Sequence, residues 1–75
     1  MDFAKNLKEY RLSFGLTQME MAHFLGITER GYRYYENGQR EPNLYTLVTI
    51  ADYLNVSLDD LIGRKFPKNS LMDSK

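Results

Sequence analysis

The 75-residue chain has no cysteine, which excludes disulfide bonds and thiolate-held metal. No apolar run approaches the roughly 20 residues that cross a bilayer. The amino terminus, Met-Asp-Phe-Ala-Lys-Asn, lacks the basic start and apolar stretch of a secretion signal, so a cytoplasmic location is the default expectation. Histidine occurs once, at His23. With no glycine-rich phosphate loop and no carboxylate pair set in a supporting pattern, an enzyme is not expected, nor is a metal, a cofactor or a small-molecule ligand. Net charge is also missing, because ten Lys and Arg balance ten Asp and Glu. A neutral total predicts weak non-specific attraction to nucleic acid. With two prolines, five glycines, 43% hydrophobic and 27% charged residues, the composition is that of one folded domain rather than a disordered tail. At this length a hydrophobic core is close to the minimum that holds a fold alone, and self-association would help.

What is present is helical periodicity. Phe3, Leu7, Tyr10 and Phe14 recur at spacings of four, three and four, one apolar face of a first helix that Gly15 ends. A second helix, from Thr17 to Leu25, presents Met21, Ala22 and Leu25, and Ala22 is small enough to let another helix approach. A third, from Thr28 to about Glu36, turns Tyr32 and Tyr35 inward and Glu29, Arg30, Arg33 and Tyr34 outward. Asn37-Gly38 stops it. After a cap at Asn43, the stripe Leu44, Leu47, Ile50, Ala51 and Leu54 predicts a fourth helix over 44–54. Ser57 with Asp60 repeats a capping signature before Leu58, Leu61 and Ile62, a short fifth helix ending at Gly63. No stretch alternates as a strand. Residues 1–63 form the expected domain, and 64–75 a tail that is partly disordered or supports a dimer.

The segment 16–38 carries the most information. Gly26 can adopt the left-handed conformation that ends a helix without a steric penalty, while Thr17 and Thr28 can cap the two helix starts. Thr17 and Glu20 fit the reciprocal capping box. Two short helices joined this way make a helix-turn-helix, the arrangement of a DNA reader. Arg30, Arg33 and Arg40 lie in or just after its second helix, whereas Asp52, Asp59 and Asp60 lie beyond, so charge is polarised along a neutral chain.

The segments Gly-Leu-Thr-Gln, Ala-x-x-Leu-Gly-Ile-Thr, Tyr-Glu-Asn-Gly, Pro-Asn-Leu-x-Thr-Leu and Leu-x-Val-Ser-Leu-Asp-Asp-Leu agree in order and spacing with one family. From about Phe3 to Gly63 the chain resembles the Cro and phage-repressor helix-turn-helix domains, also called the xenobiotic-response-element family. The resemblance implies an all-α, lambda-repressor-like five-helix bundle with helices 2 and 3 as the motif. It implies phosphate contacts from Thr17, Gln18, Asn37, Gln39 and Arg40, and base contacts from Thr28, Glu29, Arg30 and Tyr34 with Arg33 nearby. It also implies a structural ion pair between Arg11 and Glu36. The chemistry suits these positions: arginine can grip guanine through two acceptors, a carboxylate can accept from cytosine, and a methyl or ring edge can touch thymine. The implied function is a sequence-specific transcriptional regulator, a small repressor that binds double-stranded DNA as a homodimer on an inverted repeat, with helix 3 in the major groove. Tyr53, Leu58, Leu61 and the tail's Phe66, Leu71 and Met72 are expected to furnish the dimer contact. Gly31 and the density of tyrosine in helix 3 depart from the family pattern, with Tyr32 and Tyr35 expected in the core and Tyr34 free. The alternative is an antitoxin-like or adaptor module that uses the same fold for protein contacts.

Overall fold

In the computed structural model, which describes residues 3–63, the chain forms five helices and no strand among those residues. They are α1 (Phe3–Ser13), α2 (Gln18–Leu25), α3 (Glu29–Glu36), α4 (Leu44–Leu54) and α5 (Leu58–Ile62). Phe66, Leu71, Met72 and the rest of the expected tail lie outside the described residues.

Local chemistry sets nearly every boundary. Thr17 Oγ1 accepts from the Glu20 amide at 3.0 Å, and Glu20 Oε1 accepts from the Thr17 amide at 2.8 Å, a complete capping box at the start of α2. Thr28 caps α3 by accepting from the Gly31 amide at 3.0 Å, Asn43 caps α4 through Thr46, and Ser57 caps α5 through Asp60. Caps of this kind are each worth about 1 kcal/mol. Gly26 ends α2 at φ 71°, ψ 29°, in the left-handed region, and its amide reaches back to Ala22 and His23 carbonyls. That single residue redirects the chain so that α3 can cross α2. Asn55 performs the same task after α4 at φ 56°.

α1 packs against α3 and α5, α2 against α3 and α4, and α4 against α5. The core draws on every helix: Phe3 and Leu7, Met21 and Ala22, Tyr32, Ile50 with Ala51 and Leu54, and Leu61. Each fully buried large side chain among them contributes about 1.5–3 kcal/mol of transfer free energy. Asn6 adds a polar tie, its Nδ2 donating to the Asp60 and Leu61 carbonyls at 3.2 and 3.3 Å and so fastening α1 to the last turn of α5.

Three apolar expectations need correction. Phe14 is 51% exposed because it falls beyond the last residue of α1, where the helical face no longer continues. Leu44 is 67% exposed: it is the first residue of α4, ahead of the turn that meets the core. Leu61, expected in a dimer contact, has 0% exposure and is a core residue, so it has no surface to give a partner.

Candidate nucleic-acid interface

A buried polar cluster ties the start of α2 to the last turn of α3, and Tyr34 on the outer side of α3 meets Arg40 from the loop after it. At the centre of the cluster is the Glu36 carboxylate on the last turn of α3. It accepts from Arg11 Nε at 2.6 Å, Arg11 Nη2 at 3.2 Å, Tyr32 Oη at 2.5 Å and Gln18 Nε2 at 3.1 Å. Arg11 spends its remaining Nη1 on the Leu16 carbonyl at 2.7 Å, in the connection between α1 and α2. The Arg11 and Glu36 side chains are only 7% and 1% exposed, and no buried side-chain polar atom among the described residues lacks a partner. The carboxylate therefore joins α1, α2 and α3 at one point.

Its electrostatics follow from that crowding. Burial alone would raise the Glu36 pKa, but hydrogen bonds from Arg11, Tyr32 and Gln18 outweigh it and hold the carboxyl below its ordinary value. The hydrogen bond to Glu36 conversely raises Arg11 against the opposing effect of burial. Burial first, and then the bond to the carboxylate, pushes the Tyr32 phenol well above the usual tyrosine range. Such a pair specifies orientation more than it adds net stability, because desolvation cancels much of the attraction.

Gln18, the expected phosphate donor at the start of α2, is half-buried and donates to Glu36, so the carboxylate orients its amide. An amide NH2 has two protons, and one bond to Glu36 leaves the second available. Thr17, beside it, is exposed and occupied with its cap.

On α3, Tyr34 is not free. Arg30 Nε donates to its hydroxyl at 3.1 Å, the Arg30 guanidinium carbon lies 6.0 Å from the ring centroid, and the Arg40 guanidinium carbon lies 5.5 Å from the same centroid. One aromatic ring thus holds a cation from the helix and a cation from the following loop, at distances where each gains from the ring's negative face. The i,i+4 spacing of Arg30 and Tyr34 is legible in sequence; the return of Arg40 onto the ring is not. Arg33 takes a different course, pairing with Glu29 at 3.2 Å across one helical turn in a half-exposed setting, worth only a few tenths of a kcal/mol. Asn37, Gln39 and Arg40 are exposed in the loop, with Asn37 Nδ2 3.5 Å from Gln39 Oε1. Arg30 and Arg40 are accordingly the cations of this surface without an acidic partner among the described residues.

Phe24 and Met19 have the outward phase that their sequence spacing gives, but the contact of Phe24 with α4 is not legible there. Phe24 and Tyr53 stack with centroids 3.7 Å apart and an interplanar angle of 18°. With Met19, Glu20 and His23 they line an open groove. Tyr53 is therefore already engaged, while Leu58 is half-buried against the core. No helix among the described residues is long and apolar enough to cross a membrane.

A helix-turn-helix family model matches residues 7–61. The SPbeta prophage-derived HTH-type transcriptional regulator YonR of Bacillus subtilis is 48% identical over 60 residues, which is 80% of this chain and 56% of the relative. The cryptic phage CTXphi transcriptional repressor RstR of Vibrio cholerae is 39% identical over 64 residues, 85% of this chain and 57% of the relative. The chain thus spans little more than half the length of these curated relatives. Among solved structures, a transcriptional regulator from Listeria innocua superimposes with a TM-score of 0.81 at 28% identity, over 96% of this chain and 67% of that one.

Proposed function

The chain belongs to the helix-turn-helix family, of the Cro and phage-repressor type, and from that membership we propose that it is a sequence-specific DNA-binding transcriptional regulator acting as a small repressor. The observation that carries the reading is the outer side of α3, where Arg30 and Arg40 gather on Tyr34 without an acidic partner among the described residues. With α3 in the major groove, Arg30 meets base edges, and Thr28, Glu29 and Arg33 border it. Thr17, Gln18, Asn37, Gln39 and Arg40 meet phosphates on either side. Gln18 acts as a neutral donor at the positive end of a helix, a site that favours anions.

A single α3 reads about half a turn of groove, so a twofold homodimer on an inverted repeat, with half-sites about 34 Å apart, supplies the rest of the affinity. Tyr53 and the exposed part of Leu58 are the described candidates for that contact. The small number of cations on this surface without an acidic partner among the described residues has its own consequence. With Arg33 tied to Glu29 and Arg30 turned to bases, Arg40 is the principal phosphate cation, and a dimer releases about two counterions, giving a log–log salt slope of about −2.

The test is selection of bound duplexes from a random pool, followed by gel shifts of the selected duplex across a salt series. An enriched inverted repeat bound with this shallow slope supports the proposal. Absence of a shift at every salt concentration overturns it and favours the protein-adaptor alternative.

A further inference from the structure

We propose that Tyr34 is a positioning residue that selects for guanine through Arg30, rather than a side chain that itself touches bases; this rests on the DNA-reading role proposed above. Arginine can grip two acceptors in two ways: side-on, with Nε and one Nη, or end-on, with both Nη groups. In this structure Arg30 Nε is spent on Tyr34 Oη at 3.1 Å, so only the end-on fork remains. Guanine is the base that presents two acceptors, O6 and N7, side by side in the major groove, and it is the base this fork matches. An unattached arginine would lose rotamer freedom on reaching a base, and one already seated on a ring and a hydroxyl loses less.

The ring has a second occupant. Arg40 comes from the loop after α3, and its guanidinium carbon sits closer to the centroid, at 5.5 Å, than that of Arg30 at 6.0 Å. Tyr34 therefore couples the helix cation to the loop cation: the hydroxyl orients Arg30, and the ring lies within cation–π distance of both. The half-buried state of Tyr34 agrees with this inward task, since a ring committed to two neighbours has less edge to offer a thymine methyl.

The two parts of the side chain separate in experiment. Duplex selection and competition binding are run with the full chain and with Arg30→Ala, Tyr34→Phe and Tyr34→Ala, each checked for an unchanged helical spectrum. Wild type is expected to enrich one guanine per half-site, and Arg30→Ala to lower preference for that guanine by about 5- to 150-fold. Tyr34→Phe keeps the ring and loses the hydroxyl; it is expected to weaken the same guanine preference by about tenfold while leaving the salt slope unchanged. Tyr34→Ala additionally releases Arg40 and weakens binding to all sequences alike. Full guanine preference in Tyr34→Phe overturns the proposal, as does a change in thymine preference at a different position. Tight wild-type binding with no guanine that depends on Arg30 also overturns it while leaving the DNA-reading role intact; no binding by wild type at all overturns both.

Discussion

Removing Glu36 alone should cost more stability than removing the whole polar cluster around it. In Glu36→Leu the Arg11 guanidinium, 7% exposed, keeps the Leu16 carbonyl as its one neutral acceptor and becomes a buried charge without a counterion. Uncompensated charges of this kind cost about 3–5 kcal/mol. A chain of 75 residues has about 4–11 kcal/mol in total, so the single variant should lose a large part of its stability. Arg11→Met is the mirror case, milder because Gln18 still donates to the carboxylate. The double variant leaves no charge, and apolar groups of similar volume restore the packing. The cycle is run in a Tyr32→Phe background, so that no hydroxyl is orphaned when Glu36 goes, and read by urea denaturation at pH 7 with sucrose present to keep the weaker variants folded. The expected coupling is at least about 2 kcal/mol, with the double variant more stable than Glu36→Leu. Additivity within about 0.5 kcal/mol, or single losses below about 1 kcal/mol, would refute the reasoning that this carboxylate is the joint between α1, α2 and α3.

The same cluster sets the pH response. Because Glu36 is held below its ordinary value, its contribution is complete above the unfolded carboxyl value of about 4.3 and is lost as pH falls through the lower folded value. Acid titration of the melting temperature should therefore be flatter for Glu36→Gln than for wild type. On the alkaline side the raised Tyr32 phenol contributes fully below about pH 10 and loses that contribution above it, a decline that Tyr32→Phe should abolish. Gly26→Ala meets no atom within 4 Å but must hold φ 71°, so its cost is backbone strain alone, about 1–2 kcal/mol by thermal denaturation. Arg40→Ala should reduce the salt slope by about one per protomer and weaken binding evenly across sequences, a pattern that competition with selected and random duplexes would reveal.

The bundle was legible because its punctuation is local. Thr17 with Glu20, Thr28, Asn43 and Ser57 each act on an amide within three residues, and Gly26 and Gly63 end helices through their own backbone. A pattern that short-ranged can be read from neighbours in sequence. Exposure was less legible, because periodicity reports a face but not how far along a helix the core extends. Phe14 and Leu44 carry the right phase and lie at the ends, outside its reach, whereas Leu61 sits on a helix of five residues too short to keep an outer apolar side. The site divides the same way. Arg30 and Tyr34, or Tyr32 and Glu36, are visible as i,i+4 pairs, but Arg40 on Tyr34, Gln18 on Glu36 and Phe24 on Tyr53 depend on how elements pack. The first two of those contacts tie candidate residues of different elements to one another, and the third joins α2 to α4 elsewhere.

The most direct test of the proposed DNA-reading role is titration of the isotope-labelled chain with its selected duplex, following amide resonances residue by residue. The largest shifts are expected on Gln18, the outer side of α3 from Thr28 to Tyr34, and the loop from Asn37 to Arg40, with any shift at Tyr53 from the dimer contact smaller than these. Shifts confined to the groove between Phe24 and Tyr53, or none at saturating duplex, would contradict that role.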